Sequence, residues 1–152
     1  MRMVRFAVTA LVVAALGLAG CGGDSGSQTD TTTGVPEDVL IKTHLTFSDS
    51  GEGSGEVASG SVIGDEPFCE GGTFSDAYPG QQGDVVKTLD CDDGTLEIRF
   101  TPARQSKNHQ SGPWTVEAGS GAYKDVAGEG EMSVTFENRD NGEETFRGAV
   151  TR

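Results

Sequence analysis

Basic residues are scarce in this chain: 11 Lys and Arg stand against 24 Asp and Glu, a formal charge of −13 over 152 residues. Such a surface has no basic stripe to neutralise phosphates, which excludes nucleic-acid binding as a function class. Histidine is scarcer still. His44 falls on the polar side of an alternating stretch and His109 in the loop Lys107-Asn108-His109-Gln110-Ser111. Nothing therefore sets a base beside a nucleophile, and no Ser-His-Asp arrangement is indicated. The patterns Gly-x-Ser-x-Gly and His-Glu-x-x-His and the P-loop are all missing. A membrane-spanning helix needs about 20 apolar residues, and the N-terminal run from Phe6 to Leu18 has only 13. Convincing helical stripes are lacking throughout, beyond a single turn near Ala122–Val126.

The N-terminus carries instead two early arginines, Arg2 and Arg5, then the apolar run, then Leu18-Ala19-Gly20-Cys21. A charged start, a short apolar centre and small residues at the cut make a secretory signal peptide. Its Ala-Gly-Cys ending resembles a bacterial lipobox. That resemblance implies cleavage between Gly20 and Cys21 and acylation (palmitate) of the Cys21 thiol, so that the exported chain is anchored on the extracytoplasmic side of the cell membrane. Residues 1–20 would then leave with two bases and no acid, taking the formal charge to about −15. A surface of that sign repels anionic headgroups, so attachment would rest on the acyl chains.

Three cysteines remain to be assigned. With Cys21 lipidated, Cys69 and Cys91 form an even pair, and in an oxidising compartment two such thiols are expected to join as a disulfide. A zinc site is the rival, but two cysteines with no histidine nearby make a poor ligand set. Residues 22–36, rich in Gly, Ser, Thr and Asp, have almost nothing to bury and read as a flexible tether starting from the lipidated Cys21. Residues 37–152 suffice for one domain.

Within that domain the apolar period is two. Val39, Ile41, Leu45 and Phe47 alternate with Lys42, His44 and Thr46. Leu96, Ile98 and Phe100 alternate with charged and hydroxyl residues, as do Trp114, Val116 and Ala118, then Met132, Val134 and Phe136, then Phe146 and Val150. Such alternation means antiparallel strands with one buried face. Asp92-Asp93-Gly94 and Asp140-Asn141-Gly142 read as tight hairpin turns, and Asp49–Gly55 as a looser connection. About eight strands are expected, at 39–48, 56–63, 72–76, 84–91, 95–101, 113–118, 129–138 and 143–150. The fold class is therefore all-β, a sandwich or a closed barrel.

The stretch Gly112-Pro113-Trp114-Thr115-Val116-Glu117-Ala118-Gly119-Ser120-Gly121-Ala122-Tyr123-Lys124-Asp125-Val126-Ala127-Gly128-Glu129-Gly130 resembles the Trp-x-Val…Gly-Thr-Gly-Ala-Tyr…Leu-x-Gly-x-Gly signature of bacterial proteins with an allene oxide cyclase-like barrel, relatives of the dirigent fold. Ser120 and Val126 depart from its commoner Thr and Leu. The settings of Cys69 and Cys91 also look like the cysteine pair of many such exported proteins. The resemblance implies a single antiparallel barrel of about eight strands. Physically the motif reads as core and corner: Trp114 buried, Gly119 and Gly121 turning the chain, Tyr123 and Val126 plugging one end, Gly128 and Gly130 letting the next strand pack closely. The cyclase and coupling activities of those families do not transfer, because their pocket residues cannot be placed here one by one.

Other chemistry is thin. Asp90, Asp92, Asp93 and Glu97 gather several oxygens but lack the spacing of a calcium loop, so no metal and no cofactor are expected. Glu129, Glu131 and Glu137 fall on an outward parity. The function that follows is a non-enzymatic, lipid-anchored barrel holding a small apolar ligand or contacting a cell-surface partner. An isomerase or cyclase acting on a small hydrophobic substrate is the alternative, and it requires an inward-facing polar group. Strand parity offers Thr43, Ser59, Ser61 and Lys87, none of them an acid. A third reading is a surface module that forms a symmetric homo-oligomer, as dirigent-like relatives do.

Overall fold

A computed structural model describes residues 34–80 and 83–152. The lipobox residues Gly20 and Cys21, and the tether as far as Thr33, lie outside the described residues. The strands are β1 (Glu37–Phe47), β2 (Gly53–Val57), β3 (Val62–Ile63), β4 (Glu66–Pro67), β5 (Thr73–Ala77), β6 (Val85–Cys91), β7 (Gly94–Phe100), β8 (Ala103–Arg104), β9 (His109–Gly119), β10 (Ala127–Phe136) and β11 (Asn141–Thr151). One 3₁₀ turn, Gly121–Tyr123, joins β9 to β10.

Eight of these strands close on themselves in the order β1-β2-β5-β6-β7-β9-β10-β11, with β11 pairing back onto β1. Every pairing is antiparallel. The short β3, β4 and β8 are additions, on β1 and β9. Closure leaves the eight barrel strands without an open edge of the kind that recruits other chains, while the short β4 and β8 pair on one side only. The inward residues fill the lower barrel as one apolar cluster that includes Ile41, Leu89, Leu96, Ile98, Trp114 and Phe146.

The strand ends define two ends of the barrel. At one, the chain enters at Gly34–Glu37, beside Thr151 and Arg152. Phe68 and Tyr123 close this end with their rings edge to face, centroids 5.3 Å apart. The Tyr123 hydroxyl donates to Asp93 at 2.7 Å. Burial, reinforced by that donation, pushes its phenol pKa up to about 12. Cys69 and Cys91 are disulfide-bonded, their Cα atoms 5.0 Å apart, tying the turn after β4 to the end of β6. The other end is the mouth, framed by the β1–β2, β5–β6, β7–β9 and β10–β11 connections.

Four local expectations need correction. The single strand anticipated over 56–63 is two: β2 ends at Val57 and β3 starts at Val62, because the chain turns through Gly60 at φ +77°. The stretch Gly53–Gly55, anticipated as connection, is paired strand. The last hairpin turns at Glu137–Asp140, so Asn141 and Gly142 already belong to β11. The alternation from Trp114 also ends early. A β-bulge shifts the β7–β9 register so that Val116 faces Ile98 while Ala118 faces Glu97 and is exposed.

Candidate functional site

The upper half of the barrel is a cavity of about 630 Å³ that opens at the mouth, within the roughly 300–1,000 Å³ of small-molecule sites. Its wall is apolar: Leu45, Phe47, Val85, Phe100, Met132, Val134 and Phe136 all line it. Phe47 and Phe136 stack with centroids 6.3 Å apart. Tyr78, Pro102, Arg104, Lys107, Asn138 and Arg139 form its rim. Partial desolvation, and then the charge of Asp76, raise the Tyr78 phenol above its ordinary range.

The floor is ionic. Lys87 on β6 points inward and is fully buried. Its ammonium donates to Asp76 Oδ1 on β5 at 2.7 Å and lies 3.0 Å from Glu144 Oε2 on β11. Asp76 and Lys87 are register partners on adjacent strands, and so are Thr43 and Glu144. The Thr43 hydroxyl donates to Glu144 Oε2 at 2.6 Å. The Lys87–Glu144 contact is thus the one that crosses the lumen and joins the two strand pairs. The ammonium also sits 3.3 Å from the centroid of the Phe74 ring, a cation–π contact in a dry setting. Burial is the main reason the Asp76 carboxyl titrates above its ordinary range. Lys87 opposes that rise and the charge of Glu144 adds to it.

Seen from the cavity, the carboxylates are in front and the ammonium is behind: Asp76 and Glu144 line it, and Lys87 does not. The cluster's hydrogen bonds use Asp76 Oδ1 and Glu144 Oε2. No fully buried side-chain oxygen or nitrogen lacks a partner among the described residues. The second oxygens, Asp76 Oδ2 and Glu144 Oε1, take no part in these bonds, and Asp76 Oδ2 lies against Gly53 at the start of β2. Two carboxylates of unlike environment beside a fixed cation can hold and transfer a proton, or receive a donor from a ligand.

Of the inward candidates read from parity, Thr43, Ser61 and Lys87 are buried and Ser59 is exposed. Ser59 falls in the turn between β2 and β3, where strand parity no longer holds. Ser61 serves the backbone, bonding Lys42 and Ala58. The statement that no acid faces inward is corrected by Asp76 and Glu144. Their signal was present, since each shares parity with a core phenylalanine on its own strand, Phe74 or Phe146.

The motif residues gather away from this site. Trp114 is buried, its indole N–H donating to the Arg147 carbonyl at 3.1 Å. Gly119, Gly121 and Tyr123 shape the corner after β9, and Gly121 takes φ +58°. Gly128 and Gly130 lie against β11, where a β-carbon on Gly130 would strike the Arg147 carbonyl oxygen. None of them lines the cavity. His44 is an exposed outward residue 4.0 Å from Glu143, and His109 is at the start of β9 near Thr135. Asp90, Asp92 and Asp93 are exposed, and Asp93 accepts from Tyr123. Glu129, Glu131 and Glu137 point to solvent. Among the described residues no three His, Cys, Asp or Glu gather as a metal site. No helix among them is long and apolar enough to cross a membrane.

No family model matches this chain, and no match is found among the curated proteins or the solved structures.

Proposed function

We propose that this protein is a lipid-anchored, extracytoplasmic barrel that holds one small, largely apolar molecule in its mouth cavity. The observation that carries the reading is the cavity itself. About 630 Å³ is walled by aliphatic and aromatic side chains and floored by a few convergent polar groups, the composition of a ligand site. The lipobox-like Leu18–Cys21 segment supports the anchor, and the Trp114–Gly130 motif supports kinship with allene oxide cyclase-like barrels. The test is binding of an environment-sensitive apolar dye, with competition by a panel of lipids and terpenoids. Dye fluorescence should rise on binding and fall with competitors. Val134→Phe, which fills the cavity from its wall, should weaken dye binding while leaving the fold intact. Equal dye binding by that variant would place the ligand elsewhere.

A second reading, an isomerase or cyclase on a small hydrophobic substrate, gains from one observation: the floor presents two carboxylates beside a buried ammonium. With Asp76 raised by burial, that carboxyl can carry a proton beside the second carboxyl group of Glu144, the kind of pair that acid–base catalysis uses. Under that reading Asp76→Asn abolishes turnover and keeps ligand binding.

A further inference from the structure

The charges around the cavity are sorted by depth. At the floor two carboxylates face one ammonium, so the fully ionised cluster carries one excess negative charge in a dry setting. The two ionised carboxylates that line the cavity, Asp76 and Glu144, offer it only acceptor oxygens. A buried charge without a partner is costly, and a cation delivered from the cavity side would complete the set. The aromatic wall of Phe47, Phe136 and Phe100 suits a cation as well, since ring faces attract one.

The rim has the opposite sign. Arg104, Lys107 and Arg139 are the exposed charged residues lining the cavity, in a chain with 24 acids and 11 bases. None of the three has an acid within ion-pair distance among the described residues, whereas Arg99 and Arg152 elsewhere on the barrel are paired. Such a ring at a low-dielectric opening concentrates anions and gives their oxygens hydrogen-bond donors.

We propose that the cavity takes an apolar molecule with a charge at each end: a protonated amine reaching the Asp76–Glu144 floor and an anionic group held by Arg104, Lys107 and Arg139. This rests on the ligand-binding reading above and narrows it to a chemical class. Neither end alone satisfies the site. A plain carboxylic acid leaves the floor uncompensated, and a plain amine must pass the basic rim with nothing to offer it.

The test uses ω-amino carboxylic acids of graded chain length beside the matching alkylamines, carboxylic acids and alcohols, with affinities from calorimetry at neutral pH. The amino acid whose length spans floor to rim binds at least about tenfold more tightly than the amine or the acid of equal length. Glu144→Gln erases the advantage of the amino acid over the plain acid, read as the ratio of their affinities. Replacing the exposed Arg104, Lys107 and Arg139 by Gln erases its advantage over the plain amine. Should Glu144→Gln fail to fold, the ligand series and the rim variant still decide. Alcohols binding as tightly as amino acids, or plain acids binding best, would overturn the two-charge assignment while sparing the apolar site. Failure of the whole series, alcohols included, would overturn both.

Discussion

Lys87, Asp76 and Glu144 are the residues on which the interior turns, and their energetics run against intuition. A buried ion pair is often no more stabilising than well-packed apolar side chains, because desolvation cancels most of the attraction. What such a cluster does provide is a penalty for being incomplete: removing one partner typically costs about 3–5 kcal/mol. Asp76 makes this measurable through pH. Its carboxyl is raised above 3.8, chiefly by burial, so the folded chain holds that proton more tightly than the unfolded chain does. The contribution is fully present below pH 3.8 and is lost as pH rises through the folded value, so it lowers stability on going from acid to neutral. Asp76→Asn should flatten that stretch of the stability profile, read from urea midpoints at a series of pH values. An unchanged profile would mean that another group carries the slope. In the sequence Lys87 was legible as inward, because Val85, Leu89 and Cys91 share its parity. Asp76 and Glu144 share parity with Phe74 and Phe146 just as plainly. An acid at an inward position reads as a solvated residue, however, until a cation is known to lie opposite. That cation comes from the neighbouring strand for Asp76 and from across the lumen for Glu144, relations no single strand's pattern contains.

At the level of elements, most strands with strong alternation were legible to within about two residues at their ends, although β9 starts at His109, well before the 113 expected. The glycine-rich strand was not legible. Gly53-Ser54-Gly55 resembles a loop by propensity, since glycine is a poor strand former. In the barrel it is strand because Phe74 and the His44 carbonyl come so close to Gly55 that no side chain fits there. The disulfide, by contrast, followed from compartment and parity of count. Joining Cys69 to Cys91 closes a loop of sequence separation 22, worth about 3 kcal/mol by chain entropy. It also fixes the turn that carries Phe68 into the closed end. Replacing both cysteines by alanine should lower the free energy of chemical unfolding by about 3 kcal/mol. The same change should raise amide exchange in the Phe68–Gly72 turn more than in β9 or β10, measured by hydrogen exchange. Uniform acceleration along the chain would mean that the bridge acts only on the unfolded state. If the mouth cavity binds a ligand as proposed, that binding should be little altered by the same replacement, because the bridge lies at the opposite end of the barrel.

For the whole molecule, the two barrel ends have different duties. The chain enters at the end sealed by Phe68 and Tyr123, and the cavity opens at the other. With Cys21 acylated, as proposed, the tether would meet the barrel at its sealed end, an attachment that leaves the mouth free to turn to the aqueous side. A chain of formal charge about −15 after loss of residues 1–20 is repelled by anionic headgroups, which holds the barrel body off the bilayer although the rim at its mouth is basic. A ligand would then enter from water and would not have to leave the membrane to reach the cavity. The matching prediction compares the acylated protein on vesicles with the Cys21→Ser form in solution. The serine form should no longer partition into detergent, yet an apolar dye added from the aqueous phase should reach the cavity at the same rate in both. That equality should hold on neutral and on anionic vesicles alike, read by stopped-flow fluorescence. A slower rate on vesicles would mean that the mouth is turned to the bilayer and that the ligand is taken from lipid. Retained partitioning of the serine form would remove the anchor itself, and with it the reason for the barrel to have an upright pose.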